Sequence, residues 1–426
     1  MRKNIVIVGG VAAGSSCATR ARRLNEEAAI TIVERGPFVS FANCGLPYHV
    51  GNVIEDVEDL LLVSPETFSA RYDIKVLTQH EVIDIDRQAK RVELLDRCSG
   101  AARWLPYDQL LIATGASAFV PPIEGLDSPG VFTLRTVPDS RHVRAWIEEH
   151  NVRRALVIGA GFIGLETAEN LRRRGLEVHV VEFQDQVLPP LDDETARIVA
   201  AHLQEHDLRL HLDTSVERVE PLADGSLMVT GSGGLAVATD LVIAAVGVRP
   251  RSDLAERAGL ELGPRGGIRV DSGMRSSDPD IFAAGDVIET VNCVSGQASY
   301  LPLAGPANRQ GRVAADVMMG KDRQFRGVQG TVICGLFEQT VAATGLSRKQ
   351  LAAQEEIPWD TVWLHPKNHV GYYPDAQFIH MSLNYRKDDG RVLGVQAVGG
   401  EGVARRVDVL AMAIQLGGTV YDLEEA

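Results

Sequence analysis

Residues Ser40-Phe41-Ala42-Asn43-Cys44-Gly45-Leu46-Pro47-Tyr48 hold the group best suited to covalent chemistry, a lone cysteine among small and polar neighbours. A cysteine attacks sulfur or oxygen as its thiolate, so a reactive one needs groups that favour the charged form. Asn43 and Ser40 could hydrogen-bond such a thiolate, and a helix starting just beyond could lend its positive end. No second cysteine lies within five residues of Cys44, which excludes the short-loop dithiol of a CxxC or CxxxxC enzyme. Most free cysteines are small buried apolar groups, so what Cys44 faces decides whether it reacts.

Two glycine turns suggest what lies around it. The apolar run 4–8 leads into Gly9-Gly10-Val11-Ala12-Ala13-Gly14, a helical pattern follows to Leu24, and a second run, 30–33, ends at Glu34. This is the strand–turn–helix–strand–acid order of a dinucleotide site. Gly9 permits the tight turn, Gly14 lets the helix pack close, the helix N-terminus faces a pyrophosphate, and Glu34 takes ribose hydroxyls. Val11 replaces the middle glycine. Strand 155–158 then leads into Gly159-Ala160-Gly161-Phe162-Ile163-Gly164, an intact GxGxxG, and strand 178–181 ends at Glu182. Glu182 suits a free 2′-hydroxyl, and Phe183 and Gln184 offer no cation for a 2′-phosphate, so NADH is expected over NADPH. Two such sites imply one tightly held cofactor and one that comes and goes.

The chain has 426 residues, 45% of them hydrophobic and 23% charged, which allows about three domains of ordinary globular composition. No apolar run approaches the ~18 residues of a membrane span, and residues 5–8 are too short for a signal segment. The net charge of −14 argues against nucleic acid or anionic membrane as partner. Cysteines 17, 44, 98, 293 and 334 show neither disulfide nor metal-ligand spacing, as expected of a cytoplasmic, reduced protein. Arg20 and Arg23 share a face of the first helix, where they could meet an anionic ligand.

Residues 74–95 alternate like antiparallel strands, 107–113 return an apolar strand into Thr114-Gly115, and 139–150 read as a linker-like helix. A strand at 241–246 ends at Gly247, and another at 280–283 places Asp286 where it could bind a sugar or ribitol hydroxyl. A helix follows 303–308 and runs to about Met319. From Gly327 the pattern changes to strands at 331–334, 361–364, 378–385 and 392–398, closed by a helix at 403–416. This last block has no glycine fingerprint and reads as a separate α+β domain.

Together the two fingerprints, Ala113-Thr114-Gly115 and Ala284-Gly285-Asp286 resemble the flavoprotein pyridine nucleotide–disulfide oxidoreductases over essentially the whole chain. The resemblance implies an α/β fold with two Rossmann-like dinucleotide-binding domains, the glutathione-reductase-like FAD/NAD(P)-binding fold, plus a C-terminal α+β dimerisation domain. The implied boundaries are 1–115 and 246–322 for a split FAD domain, 116–245 for the NAD(H) domain and 323–426 for dimerisation. Ser40 to Tyr48 is similar to the single-cysteine branch, which includes coenzyme A–disulfide reductase, NADH-dependent persulfide reductase, and NADH oxidase and peroxidase. Oxidases and peroxidases of that branch keep a histidine in the first glycine turn where this chain has Ala12, so a sulfur substrate is expected. The glutathione-reductase type is excluded by its missing second cysteine and C-terminal His-Pro-Thr motif. Members of the branch continue beyond the position of Ala426 with a Tyr-Ala-Pro-Pro stretch or a rhodanese domain.

Carried over residue by residue, the resemblance implies cofactor contacts at Gly9, Ala13, Gly14, Glu34, Arg35, Val82, Ala113, Thr114, Gly115, Arg135, Asp286 and Gly247. For the nicotinamide nucleotide it implies Gly159, Gly161, Phe162, Ile163, Gly164, Glu166 and Glu182. Ser16, Arg20, Arg23, Ser40, Asn43 and Asn308 are the implied substrate contacts. Cys44 is the redox centre, and Tyr372 of a partner subunit in a homodimer is the implied proton donor. The expected reaction passes electrons from NADH through FAD to Cys44, and thence to a disulfide or persulfide of a small thiol such as coenzyme A. An NADH oxidase or peroxidase cycling Cys44 through sulfenic acid, or a flavin-bound redox sensor, is the alternative.

Overall fold

The computed structural model describes residues 3–354 and 356–426. Two five-stranded sheets carry the two glycine turns. In the first, Asn4–Val8 is central, with Ala29–Val33 and then Ile74–Leu77 on one side and Gln109–Ile112 and then Ile281–Ala283 on the other, all parallel. In the second, Arg154–Ile158 is central, flanked by Glu177–Val181 and Leu208–His211 on one side and Leu241–Ala244 and Val131–Phe132 on the other, again all parallel. Parallel strands are covered on both faces, which is why both central strands are apolar almost throughout. Each sheet carries a three-stranded antiparallel meander, His80–Pro106 on the first and Val216–Thr239 on the second.

The parallel sheets place both turns at the C-terminal ends of their central strands, where open α/β sheets bind ligands. A two-stranded ribbon, Ala116–Ala118 with Val248–Pro250, lies where the chain passes between them. The final block is an antiparallel sheet in the order Val332–Leu336, Gln339–Gly345, Val392–Gly399, Ile379–Arg386, Trp359–Leu364. Helix Val403–Leu416 packs against strands Gln339–Gly345 and Val392–Gly399 and buries Val403, Val407 and Ile414. Leu410 packs partly buried against the same core, and the exposed Val409, Met412 and Leu416 lie on the helix's remaining faces.

Several details depart from the sequence reading. Ile74–Leu77 pairs in parallel with Ala29–Val33 as the edge of the first sheet, so antiparallel pairing begins only at His80. The linker-like helix is Val137–Glu149, and its Val137, Val143 and Ile147 are buried in the second core, so it is a packed element. The helix expected after 303–308 begins at Ala304 and includes Asn308. Strand Gln339–Gly345 and a short last helix, Val420–Glu424, escaped the pattern. The strand has only three fully buried positions, and its polar residues hide the alternation.

Candidate active site

The two glycine turns are built alike. Gly9 and Gly159 have φ of +101° and +102°, a conformation open to glycine and strained for other residues. A Cβ on Gly14 would lie 1.9 Å from the Gly9 carbonyl oxygen, and one on Gly164 would lie 2.0 Å from that of Gly159. Each helix can therefore pack on its turn only with glycine there. The two acids are clamped in the same way. Glu34 accepts from the backbone N–H of Gly10 (2.9 Å) and Gly36 (2.8 Å), and Glu182 from those of Ala160 (2.7 Å) and Gln184 (2.9 Å). Each carboxylate is thus held by two backbone donors and fixed beside its turn.

Gly161 differs from the other glycines of its turn. Its φ of −76° and ψ of −178° suit any residue, and a Cβ there would meet no protein atom within 4 Å. The space it keeps clear belongs to whatever docks on the turn. Val11 holds the equivalent place in the first unit with a different ψ, −124°.

Both turns open into one cleft of about 1560 Å³, larger than the ~300–1,000 Å³ usual for a single small ligand. Gly9, Ala13, Glu34, Arg35, Ala113, Thr114, Gly115, Arg135 and Asp286 line it from the first unit and its connections. Gly159, Gly161, Phe162, Ile163, Glu166, Glu182 and Gly247 line it from the second, and Asn43 and Cys44 lie in the same cleft. Gly14 and Gly164 do not line it and act by packing. Val82 buries its side chain in the first core.

Cys44 lies in a single 3-10 turn, Asn43–Gly45, followed by the five-residue helix Leu46–Val50. It is exposed, and it is the one cysteine among the cleft-lining residues described. Cys17 and Cys334 are buried, and burial pushes the Cys17 thiol up to about 12. The thiolate stabilisation expected from Asn43 and Ser40 is not seen. Asn43 Nδ2 donates instead to the Arg135 carbonyl at 3.4 Å, a weak contact, and the described bonds of Ser40 are backbone ones to Gly10 and Leu62. Partial burial raises the Cys44 thiol above its ordinary value, Glu166 and Asp286 add to the rise, and Arg135 opposes it. Arg135 Nη2 lies 2.6 Å from Asp286 Oδ2 within the cleft, so its charge is shared with that partner.

Glu166, on helix Phe162–Arg173, has neighbours that sequence reasoning did not supply. Burial pushes its carboxyl up to about 7, the nearby Glu169 adds to this, and hydrogen bonds from Cys334 and Tyr48 oppose it. A carboxyl titrating near neutrality close to Cys44 can hold or release a proton there. Arg251 was also missed. It lines the cleft, its backbone N–H bonds the Gly115 carbonyl, and its own carbonyl accepts from Thr114 Oγ1 at 2.7 Å. Burial and Arg35 lower its pKa to about 10, so Arg35 and Arg251 form the local basic patch that an anionic ligand needs in an acidic protein. The arginine after Pro250 was its only signal in the sequence.

The implied substrate contacts are dispersed in the single chain. Ser16 Oγ donates to Asn308 Oδ1 at 2.7 Å, which brings those two together across the helices Ala12–Leu24 and Ala304–Met318. Arg20 Nη2 is paired with Asp316 Oδ1 at 2.7 Å, so its charge is largely offset, while Arg23 is exposed. Arg22, between them, is buried and ties the helix to the Tyr72 and Asp73 carbonyls. Tyr372 is 90% exposed, outside the cleft, on the segment joining Trp359–Leu364 to Ile379–Arg386.

The family model for pyridine nucleotide-disulphide oxidoreductases matches residues 3–311, and the model for the dimerisation domain of the same proteins matches 332–426. The chain belongs to this family. It is 34% identical over 426 residues to a coenzyme A disulfide reductase of Staphylococcus haemolyticus, covering 100% of this chain and 94% of that one. It is also 34% identical over 410 residues to an NADH oxidase of Methanocaldococcus jannaschii, covering 96% and 90%. Reduced CoADR-RHD of Bacillus anthracis matches with a TM-score of 0.97 and 42% identity over 100% of this chain and 76% of its own. A NAD-dependent persulfide reductase from A. fulgidus matches with 0.95 and 39% over 99% and 79%. The family implies FAD and NAD(P)H. The paired glycine turns, the two clamped acids and one cleft roomy enough for both fit those groups. No helix among the described residues is long and apolar enough to cross a membrane.

Proposed function

We propose that this protein is an FAD-dependent NADH oxidoreductase that reduces the disulfide or persulfide of a low-molecular-weight thiol, with coenzyme A the favoured carrier, through Cys44. The observation that carries this reading is one accessible sulfur, without a second cysteine beside it, in a cleft shared by two dinucleotide turns. Gly9, Glu34, Arg35, Thr114, Arg251 and Asp286 would hold FAD, and Gly159 to Gly164 with Glu182 would hold NADH. When bound, the flavin relays two electrons from the nicotinamide to sulfur.

Cys44 Sγ attacks one sulfur of the substrate disulfide, forming a mixed disulfide and releasing the other half as a thiol. Two electrons and a proton then free the second half and restore the Cys44 thiolate. The substrate thus plays the part that a second cysteine plays elsewhere, and one cysteine suffices. Arg135 favours the thiolate, while Glu166, close to both Cys44 and Tyr48, is placed to hold a proton. Tyr372 from a second copy would protonate the leaving thiol. The exposed Val370, Tyr373 and Phe378 around it form an apolar surface consistent with a homodimer.

NADH oxidation through Cys44 sulfenic acid, with oxygen or peroxide as acceptor, is the competing reading, supported by the relative named NADH oxidase. Against it, Ala12 lines the cleft, and no histidine is found among the described residues that do. Steady-state NADH oxidation with coenzyme A disulfide, coenzyme A persulfide, peroxide and oxygen decides between them. Turnover should be at least tenfold faster with a sulfur acceptor. Equal or faster turnover with peroxide or oxygen rejects the proposal, and failure on all four acceptors supports a sensor.

A further inference from the structure

His202 and His206 stand four residues apart at the end of helix Asp193–Glu205, on one helical face. Neither lines the cleft. Glu338 reaches them from the turn between strands Val332–Leu336 and Gln339–Gly345 of the C-terminal block. His202, His206 and Glu338 each offer a ligand atom, and these atoms all lie within 4.8 Å of one another. We propose that they form a site for a divalent transition-metal ion of the zinc class, bridging the second dinucleotide unit to the C-terminal block.

The surroundings orient the donors. His206 Nδ1 is 2.9 Å from the His202 carbonyl, four residues back, and donates its proton there. With Nδ1 engaged there, Nε2 faces outward and can bind an ion once it gives up the proton it shares with Glu338, the arrangement that metal-binding histidines adopt. That Nε2 is 2.8 Å from Glu338 Oε2, and His202 Nε2 is 3.9 Å from the same oxygen. The Leu336 carbonyl lies 3.2 Å from His202 Nε2 and accepts its proton while no ion is bound. The Phe337 ring stacks on His206 at 4.0 Å, and its N–H donates to Glu169 Oε1 at 2.8 Å, which fixes the turn to helix Phe162–Arg173.

Zinc takes imidazole nitrogen and carboxylate oxygen at about 2.0–2.2 Å, so its ligands stand roughly 3–3.5 Å apart in a tetrahedron. His206 and Glu338 need to part slightly and His202 to close in, movements within reach of the exposed Glu338 side chain. Glu205 Oε2 lies 3.8 Å from His202 Nδ1, on the far side of that ring, where it can orient the imidazole, and solvent completes the coordination. Two imidazoles and a carboxylate suit zinc, nickel or copper over calcium or magnesium, which prefer oxygen alone.

The same atoms without an ion make a histidine–carboxylate clasp between the two units, and the experiment must separate the two. Zn²⁺ is titrated calorimetrically into the flavin-loaded protein carrying Cys44→Ser, which removes competition from the reactive thiol. Glu338→Gln and His206→Gln are then made in that background, with flavin content and circular dichroism as checks on folding. One ion should bind per chain, and each substitution should weaken binding by about tenfold or more, as the loss of a ligand requires. Saturating Zn²⁺ should raise the melting temperature of the parent and leave the variants less affected. Glu338 is exposed, so its variant keeps the test valid if the His206 variant folds poorly. Binding that both substitutions leave within about twofold, or no binding at millimolar Zn²⁺, overturns the site and leaves the clasp.

Discussion

Two alanine substitutions in one glycine turn should fail in opposite ways. At Gly164 the new Cβ would sit 2.0 Å from the Gly159 carbonyl oxygen, in a buried backbone contact that cannot yield without lifting the helix from its turn. Overpacking of this kind costs about 1–3 kcal/mol or more. At Gly161 the backbone already suits alanine and the Cβ meets no protein atom within 4 Å. There the substitution should leave stability unchanged or add about 0.4–1 kcal/mol by restricting the unfolded chain. It would, however, occupy the space where a pyrophosphate approaches the turn. Gly164→Ala should therefore lower the melting temperature and the yield of folded protein. Gly161→Ala should keep the melting temperature and flavin content while raising KM for NADH at least tenfold, a loss of about 1.4 kcal/mol. The assays are thermal unfolding and steady-state kinetics with NADH varied. A Gly161→Ala enzyme with wild-type KM would show that the nucleotide does not use this turn, and a strongly destabilised one would show that the open space was misread.

Four further outcomes follow from the site. Cys44→Ser should keep its flavin and still accept electrons from NADH under stopped flow, yet lose at least 100-fold in disulfide or persulfide turnover. NADH should exceed NADPH in kcat/KM by at least tenfold, because the clamped Glu182 lies where a 2′-phosphate would need a cation; a preference for NADPH rejects this. The Glu166 carboxyl is raised from 4.5 to about 7, so the folded state binds the extra proton between those values. Stability should fall as pH rises through this window, and Glu166→Gln should flatten the fall in thermal unfolding at pH 5–8; an unchanged pH profile rejects the assignment. Tyr372→Phe should slow the sulfur step more than flavin reduction, and mixing it with Cys44→Ser chains should restore part of the activity, since one site of the mixed dimer carries neither lesion. No recovery despite verified subunit exchange removes Tyr372 from the partner's site.

Both dinucleotide units were legible in the sequence because their signal is local. A tight turn, a helix starting on it and an acid at the end of the next strand involve about 30 consecutive residues, and each glycine is required by its own backbone or an immediate neighbour. The reactivity of Cys44 was legible only as a question, since any lone cysteine has the same composition around a buried site as around an exposed one. Pairing direction was lost at Ile74–Leu77, because an edge strand with polar positions alternates whether its neighbour runs parallel or antiparallel. The helix Val137–Glu149 read as a linker because its apolar stripe is narrow, and only the second core gives it something to cover.

Electrostatics and shared sites were decided by tertiary structure alone. Arg135 and Asp286 are 151 residues apart in the chain and 2.6 Å apart in the cleft. Arg20 looked available to an anion until Asp316, 296 residues away, was found beside it. The proton affinity of Glu166 is raised by burial and by Glu169 on its own helix, and opposed by Cys334 and Tyr48 from two distant segments. His202 and His206 are spaced as ligands within one helix, but the carboxylate facing them arrives on a hairpin of another block. Local sequence dictates backbone geometry because torsions and nearest neighbours act over a few residues. Charge, burial and ligand sets depend on which distant segments the packed core brings together.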